Sequence, residues 1–246
     1  MTYLVGIAGG SGSGKGTIAD LVQKHLKLWD VKTFTFSTDD CYRDFSYLPS
    51  EKRDQLCFDP LFNYDHPKSV DFDRLCAYAD NFKVGKGFEY AKYDFSLHRY
   101  AEQKVIVPEG LDVVIMEGIY ALYSGDENAK RAVDLYDERM FVLTTPEIAQ
   151  IRRVRRDIAE RGRKLDHVLK QLERTVIPMY KQFILPSSIN ATDVIDWRVD
   201  ETQSEEAIKQ KLVDIARQKA LSIYEHVRQR LLLELDLAKV EIGGIG

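Results

Sequence analysis

The segment Gly9-Gly-Ser-Gly-Ser-Gly14-Lys15 lies between an apolar run and an amphipathic one. Glycines at this spacing let backbone N–H groups turn inward around phosphate oxygens, and the following helix N-terminus adds partial positive charge. The phosphate-cradling group is therefore Gly9, Gly10, Ser11, Gly12, Ser13, Gly14, Lys15, Gly16 and Thr17, with Lys15 reaching the terminal phosphates. Gly16 occupies the position where a hydroxyl normally ligates magnesium. Thr17 does not replace it, because one step along a helix turns a side chain by about 100°.

Phosphoryl transfer to an alcohol needs a group to orient or deprotonate the hydroxyl, and acids to hold magnesium. Asp39 and Asp40 follow an alternating segment, and Glu117 ends the apolar run Val113-Val-Ile-Met116. In an open α/β sheet these strand ends face the ligand crevice. Turn chemistry and helix capping are the alternative uses of such acids. Two adjacent carboxylates repel, which raises the apparent pKa values of the pair.

Seven basic residues fall between Arg152 and Lys164 in IRRVRRDIAERGRK. Arginines closing over a triphosphate would neutralise transition-state charge. A solvated face and a nucleic-acid contact are the other readings of such a run. Gly162, between Arg161 and Arg163, suits a hinge.

These groups need a scaffold. Short apolar strands are expected at Tyr3–Ala8, Val31–Ser37, Asp112–Met116, Arg139–Leu143 and Asp193–Trp197. Helices are expected at Thr17–Lys27 and Val70–Phe82, from Pro146 to about Arg161, at Lys164–Phe183 with a kink at Pro178, and from Ser204 to about Leu237 with room for one break. Ser46–Asp65 reads as loop with one helical turn. Phe88–Phe95 and Gln103–Val107 read as a hairpin. The alternation specifies an α/β fold, a P-loop NTPase-type doubly wound parallel sheet with a β-hairpin insertion and a helical lid. Residues 1–200 are expected to form the kinase domain, and 201–246 a helical extension packed on it.

The whole chain has 246 residues, 44% hydrophobic and 30% charged, with a formal net charge of −4. That balance gives no support to nucleic acid as the main partner. Cys41, Cys57 and Cys76 have no CxxC spacing and fit a reducing compartment. No apolar run of about 18 residues suggests a membrane span, so no membrane partner is expected and the cytoplasm is the default location.

The motifs resemble those of the uridine kinase (uridine–cytidine kinase) family. The matching segments are GGSGSGK at 9–15, DDCYRD at 39–44, NYDHP at 63–67, YDFSLH at 93–98 and MEGIYALY at 116–123. RRVRRDIAERGR at 152–163, PMYKQFILPS at 178–187 and ATDVI at 191–195 complete the series over residues 3–197. The resemblance implies ATP-dependent phosphorylation of a nucleoside 5′-hydroxyl with magnesium. It implies that Asp39 is the base, flanked by Tyr42, and that Asp65 holds the ribose hydroxyls with Arg153. Tyr93 and His98 would read the pyrimidine edge. Arg156 and Arg161 would sit on phosphates, Arg163 and Gln171 against the nucleoside, and Glu117 near the metal with Asp39. Tyr64 and Phe95 are candidates to stack on the base. The chain departs from the pattern at Gly16, at Arg99 and Tyr100 after His98, and in its longer tail. A stripe of Leu212, Ile215, Ala216, Ala220 and Ile223 predicts packing on the core, or next a contact in the homo-oligomer the family tends to form. The rivals are a related kinase for another alcohol, and a nucleotide-binding regulator without turnover.

Overall fold

The computed structural model describes residues 1–198 and 204–243. Its centre is a five-stranded sheet built from β1 (Tyr3–Gly9), β2 (Thr33–Ser37), β5 (Val113–Glu117), β6 (Glu138–Leu143) and β7 (Asp193–Asp196). The order is β2-β5-β1-β6-β7, and every pairing is parallel. All seven residues of β1 are buried. A parallel strand covered on both faces reads as a continuous apolar run, which is how YLVGIAG reads.

One face of the sheet is covered by α1 (Lys15–Leu28) and α8 (Glu205–Gly243). Ile18, Ala19, Val22 and Leu26 of α1 share a buried cluster with Leu212, Ala216, Ala220 and Ile223 of α8. The helix α8 is continuous, without the break allowed for in the sequence. The other face carries α3 (Phe72–Lys83) and α4 (Glu127–Asp134), with the hairpin of β3 (Phe88–Asp94) and β4 (Arg99–Val107) at its side.

Two helix starts follow from their caps. Asp71 accepts from the Arg74 N–H at 3.1 Å to open α3, and Asp126 accepts from Asn128 and Ala129 to open α4. The sequence reading omitted α4, whose eight residues bury only Ala129, Ala132 and Val133. The expected helical turn in the 46–65 loop is α2 (Ser50–Leu56).

The basic stretch forms α5 (Pro146–Ala159), with Pro146 in its first turn. The predicted kink at Pro178 takes another form. Following α6 (Leu165–Gln171), π-helical turns at Leu172–Val176 and Tyr180–Ile184 flank a short α7 (Ile177–Met179). Widened turns of this kind accommodate a proline, which lacks the N–H of a regular α-helical bond.

Candidate active site

The C-terminal ends of β1, β2, β5 and β6 converge. Glu117 is in register with both Ile7 and Ser37, and Gly9 with Val142. The phosphate loop, Asp39, Glu117 and α5 therefore meet at one edge, as the topology requires. Gly9 itself is the last residue of β1 and lies behind the loop. Gly12 has φ +80°, and a Cβ there would lie 2.1 Å from the Ala149 carbonyl oxygen, so α5 and the loop touch backbone to backbone. Lys15 Nζ stands 3.9 Å from Glu117 Oε2, whose other oxygen accepts from Ser37 Oγ at 2.9 Å. Burial raises the Glu117 carboxyl pKa, opposed by Lys15. Thr17 is exposed on the first turn of α1 and takes no part in the cleft.

The neighbouring acids after β2 separate by environment. Asp39 lines the cleft, and its carboxylate makes no hydrogen bond or ion pair among the described residues. Asp40 is buried, and its Oδ1 accepts from the Tyr93 backbone N–H at 2.8 Å. The Asp40 pKa is pushed up to about 6 by burial first, with Asp39 a smaller contributor. Repulsion from Asp39 acts in the direction expected from the sequence, and burial, which the sequence did not disclose, is the larger cause. The free carboxylate in the cleft belongs to Asp39.

Asp65 is fixed from both sides. Its N–H donates to Oδ1 of the fully buried Asn63 at 2.9 Å, and its carbonyl accepts from Tyr120. Its carboxylate accepts from Arg153 Nη1 at 3.3 Å, Gln171 Nε2 at 3.0 Å and Thr175 Oγ1 at 3.1 Å. Thr175 was not anticipated; its only sequence signal is its place four residues after Gln171 on one helical face.

A second missed residue organises the arginines. Asp157 is fully buried and lies within 4 Å of Arg153, Arg156, Arg161 and Arg163, at 3.6, 2.9, 3.5 and 3.3 Å. Burial alone would raise its carboxyl pKa, but the arginines outweigh it and hold the group below its ordinary range. Arg156 Nη2 also reaches Ser11 Oγ at 3.4 Å, joining lid and phosphate loop. Gly162, at φ +62°, turns the chain, and a Cβ built there would meet nothing within 4 Å.

The aromatic wall comes from the hairpin. His98 stacks on Tyr64 with ring centroids 4.6 Å apart, and Phe95 lies edge-on to Tyr42 at 5.3 Å. Burial and the arginines Arg53 and Arg163 lower the His98 pKa, favouring the neutral ring. Arg161 sits 4.7 Å above the Phe95 ring. Tyr93 lies behind the cleft-lining rings Tyr42 and Phe95. Its ring is packed among Tyr42, Phe95 and Tyr100, its hydroxyl is buried without a partner, and it does not line the cleft. An irregularity in the hairpin between Ala91 and Tyr93 leaves both Tyr90 and Tyr93 buried.

Ser11, Lys15, Asp39, Tyr42, Tyr64, Asp65, Phe95, His98, Arg153, Arg156, Arg161, Arg163 and Gln171 thus line one cleft of about 50 Å³. Small-molecule pockets usually run to ~300 Å³ or more, larger than this cleft by itself. A larger neighbouring cavity of about 410 Å³ shares Ser11, Asp65, Ile119 and Arg153 with it, but holds none of Lys15, Asp39 or Glu117.

Known proteins resemble the chain in sequence and in fold. A uridine kinase from Lactobacillus helveticus is 38% identical over 192 residues, 78% of this chain and 85% of that protein. One from Lactococcus lactis subsp. cremoris is 35% identical over 214 residues, 87% of this chain and 97% of that protein. A putative fructose transport system kinase from Silicibacter sp. TM1040 has the same fold, with a TM-score of 0.64 at 19% identity over 78% of this chain and 89% of that one. Phosphoribulokinase from Rhodobacter spheroides also shares it, with a TM-score of 0.60 at 15% identity, covering 82% and 73%. The profile of the phosphoribulokinase / uridine kinase family matches residues 4–205, and the chain belongs to that family.

Proposed function

We propose that this chain transfers the γ-phosphoryl group of ATP to the 5′-hydroxyl of uridine, giving UMP and ADP, and that cytidine is a second acceptor giving CMP. The observation that carries this reading is the meeting of Asp39 and Lys15 with the Asp65–Arg153–Gln171 network in one cleft. The uridine kinases that resemble the chain supply the acceptor. Asp39 takes the hydroxyl proton as the oxygen attacks phosphorus in line, and the bond to the ADP oxygen breaks. Lys15, Arg156, Arg161 and the loop N–H groups hold the phosphate oxygens where charge develops. Asp65 accepts hydrogen bonds from the ribose cis-diol, with Arg153 and Gln171 fixing its carboxylate. His98 and Tyr64 meet the base; Arg163 fixes Gln171 and its position.

Magnesium fits the residues present. A Cβ on Gly16 would point to within 4.0 Å of Glu117 Oε2, so that carboxylate faces the phosphate loop beside Asp39. The described residues contain no cluster of three or more His, Cys, Asp or Glu able to hold a metal, which suits an ion carried largely by phosphate oxygens and water. When bound, the ion neutralises phosphate charge. No described helix is long and apolar enough to cross a membrane. A cytoplasmic location agrees with the three free cysteines. Self-association draws support from the exposed Leu231, Leu232 and Leu233 of α8.

The test is ADP release across uridine, cytidine, adenosine, ribulose 5-phosphate, pantothenate and no acceptor. Turnover with uridine, reduced about 10²- to 10⁴-fold by Asp39→Asn, is expected. Turnover only with a non-pyrimidine acceptor would overturn the substrate, and ATP binding without any turnover would favour a regulator.

A further inference from the structure

We propose that Trp197, the first residue after the edge strand β7, is a positioning residue for the phosphate loop. It is 184 residues distant in sequence from the loop it contacts. Its indole Nε1–H donates to the Ser13 carbonyl at 2.7 Å, and both groups are buried. A trans peptide points its C=O and N–H in opposite directions, and there is no cis peptide bond among the described residues. Fixing the Ser13 carbonyl on Trp197 therefore aims the Gly14 N–H the other way, away from β7. That N–H is one of the donors available to a phosphate at the helix start.

The ring also sets the residue next to the lysine. Gly14 is the N-cap of α1 at φ 89° and ψ 8°. A Cβ there would lie 2.3 Å from Trp197 Cζ2. The indole thus presses the loop into a left-handed turn that only glycine makes easily. The ring is held in turn. Its backbone N–H donates to Leu143 O at 3.2 Å, it shares a buried cluster with Leu212 and Ala216 of α8, and the Arg152 guanidinium lies 4.3 Å above it. Arg152 comes from the lid helix, so β7, lid and phosphate loop meet at one indole.

The inference rests on ATP as donor and is tested without the acceptor. The chain has two tryptophans, Trp29 and Trp197. Trp29→Phe leaves Trp197 as the sole indole, and ATP titration without nucleoside should change its emission saturably; no change at saturating ATP overturns the proposal. Trp197→Phe keeps most of the ring and removes the N–H donor. Without that bond the Ser13–Gly14 peptide is no longer fixed before ATP arrives and binding must order it, so ATP affinity should fall by about tenfold. The KM for the nucleoside and kcat at saturating ATP should stay within about twofold. Unchanged ATP affinity, or equal losses for both substrates, would reduce Trp197 to a packing residue. If uridine proves not to be the acceptor, the ATP titration still decides the role of Trp197.

Discussion

Asp157 holds Arg163 twice across the turn at Gly162. Its carboxylate stands 3.3 Å from Arg163 Nη1, and its carbonyl accepts the Arg163 N–H at 3.1 Å. The chain leaves α5, reverses and returns two arginines to the carboxylate that began the turn. Four positive charges thereby share one buried negative charge.

Asp157→Asn keeps the shape and removes that charge. Removing one partner from a buried ion pair typically costs ~3–5 kcal/mol. The kcat/KM for both ATP and nucleoside should fall by about 100-fold or more, with the circular dichroism spectrum retained. Activity within threefold of wild type would mean that the arginines find their places without it. The sign with pH follows from the lowered carboxyl pKa. Its contribution to stability is complete above the unfolded carboxylate range and is lost as pH falls through the folded value.

Gly16 gives a prediction in the opposite direction. A Cβ there would meet nothing nearer than Glu117 Oε2 at 4.0 Å, so a serine fits without displacing any neighbour. Gly16→Ser should supply a hydroxyl beside the Glu117 carboxylate proposed to face magnesium, and lower the magnesium concentration for half-maximal activity by several fold. The α-helical turn should also gain ~0.5 kcal/mol from losing a glycine. An unchanged magnesium requirement would place the ion elsewhere.

Asp40 makes stability depend on pH. Its folded pKa of about 6 lies above the ordinary carboxylate value, so the native state holds the proton more tightly. The favourable contribution is complete below about pH 4 and is lost as pH rises through about 6. Asp40→Asn can keep the bond from the Tyr93 N–H and carries no charge to desolvate. The melting temperature of the variant should exceed that of wild type at pH 7.5, by about 2–4 °C per kcal/mol recovered. The gap should close towards pH 4. A gap that stays constant with pH would show that Asp40 is not the titrating group.

The succession of strands and helices along the chain, and many of the residues that line the cleft, were legible because they are coded locally. The phosphate loop, the acids at strand ends and the lid arginines each sit within a few residues of a turn or cap. What stayed hidden depends on distant parts of the chain. Asp157 reads as an ordinary i,i+4 partner of Arg153 until the turn at Gly162 brings back Arg161 and Arg163. Trp197 reads as the end of a strand, and nothing local announces its bond to Ser13. The burial of Tyr93 stayed hidden because a break in hairpin register is invisible to alternation alone.

The π turns around Pro178 have a consequence for how this chain can change over evolutionary time. At one end of that segment Gln171 and Thr175 reach Asp65; at the other the Tyr180 ring lies against Gly10, where a Cβ would come within 3.0 Å. Adding or deleting one residue between them would swing one end by about 100° relative to the other. The stretch is therefore a ruler of fixed length: related sequences can exchange side chains along it, but insertions and deletions belong outside it.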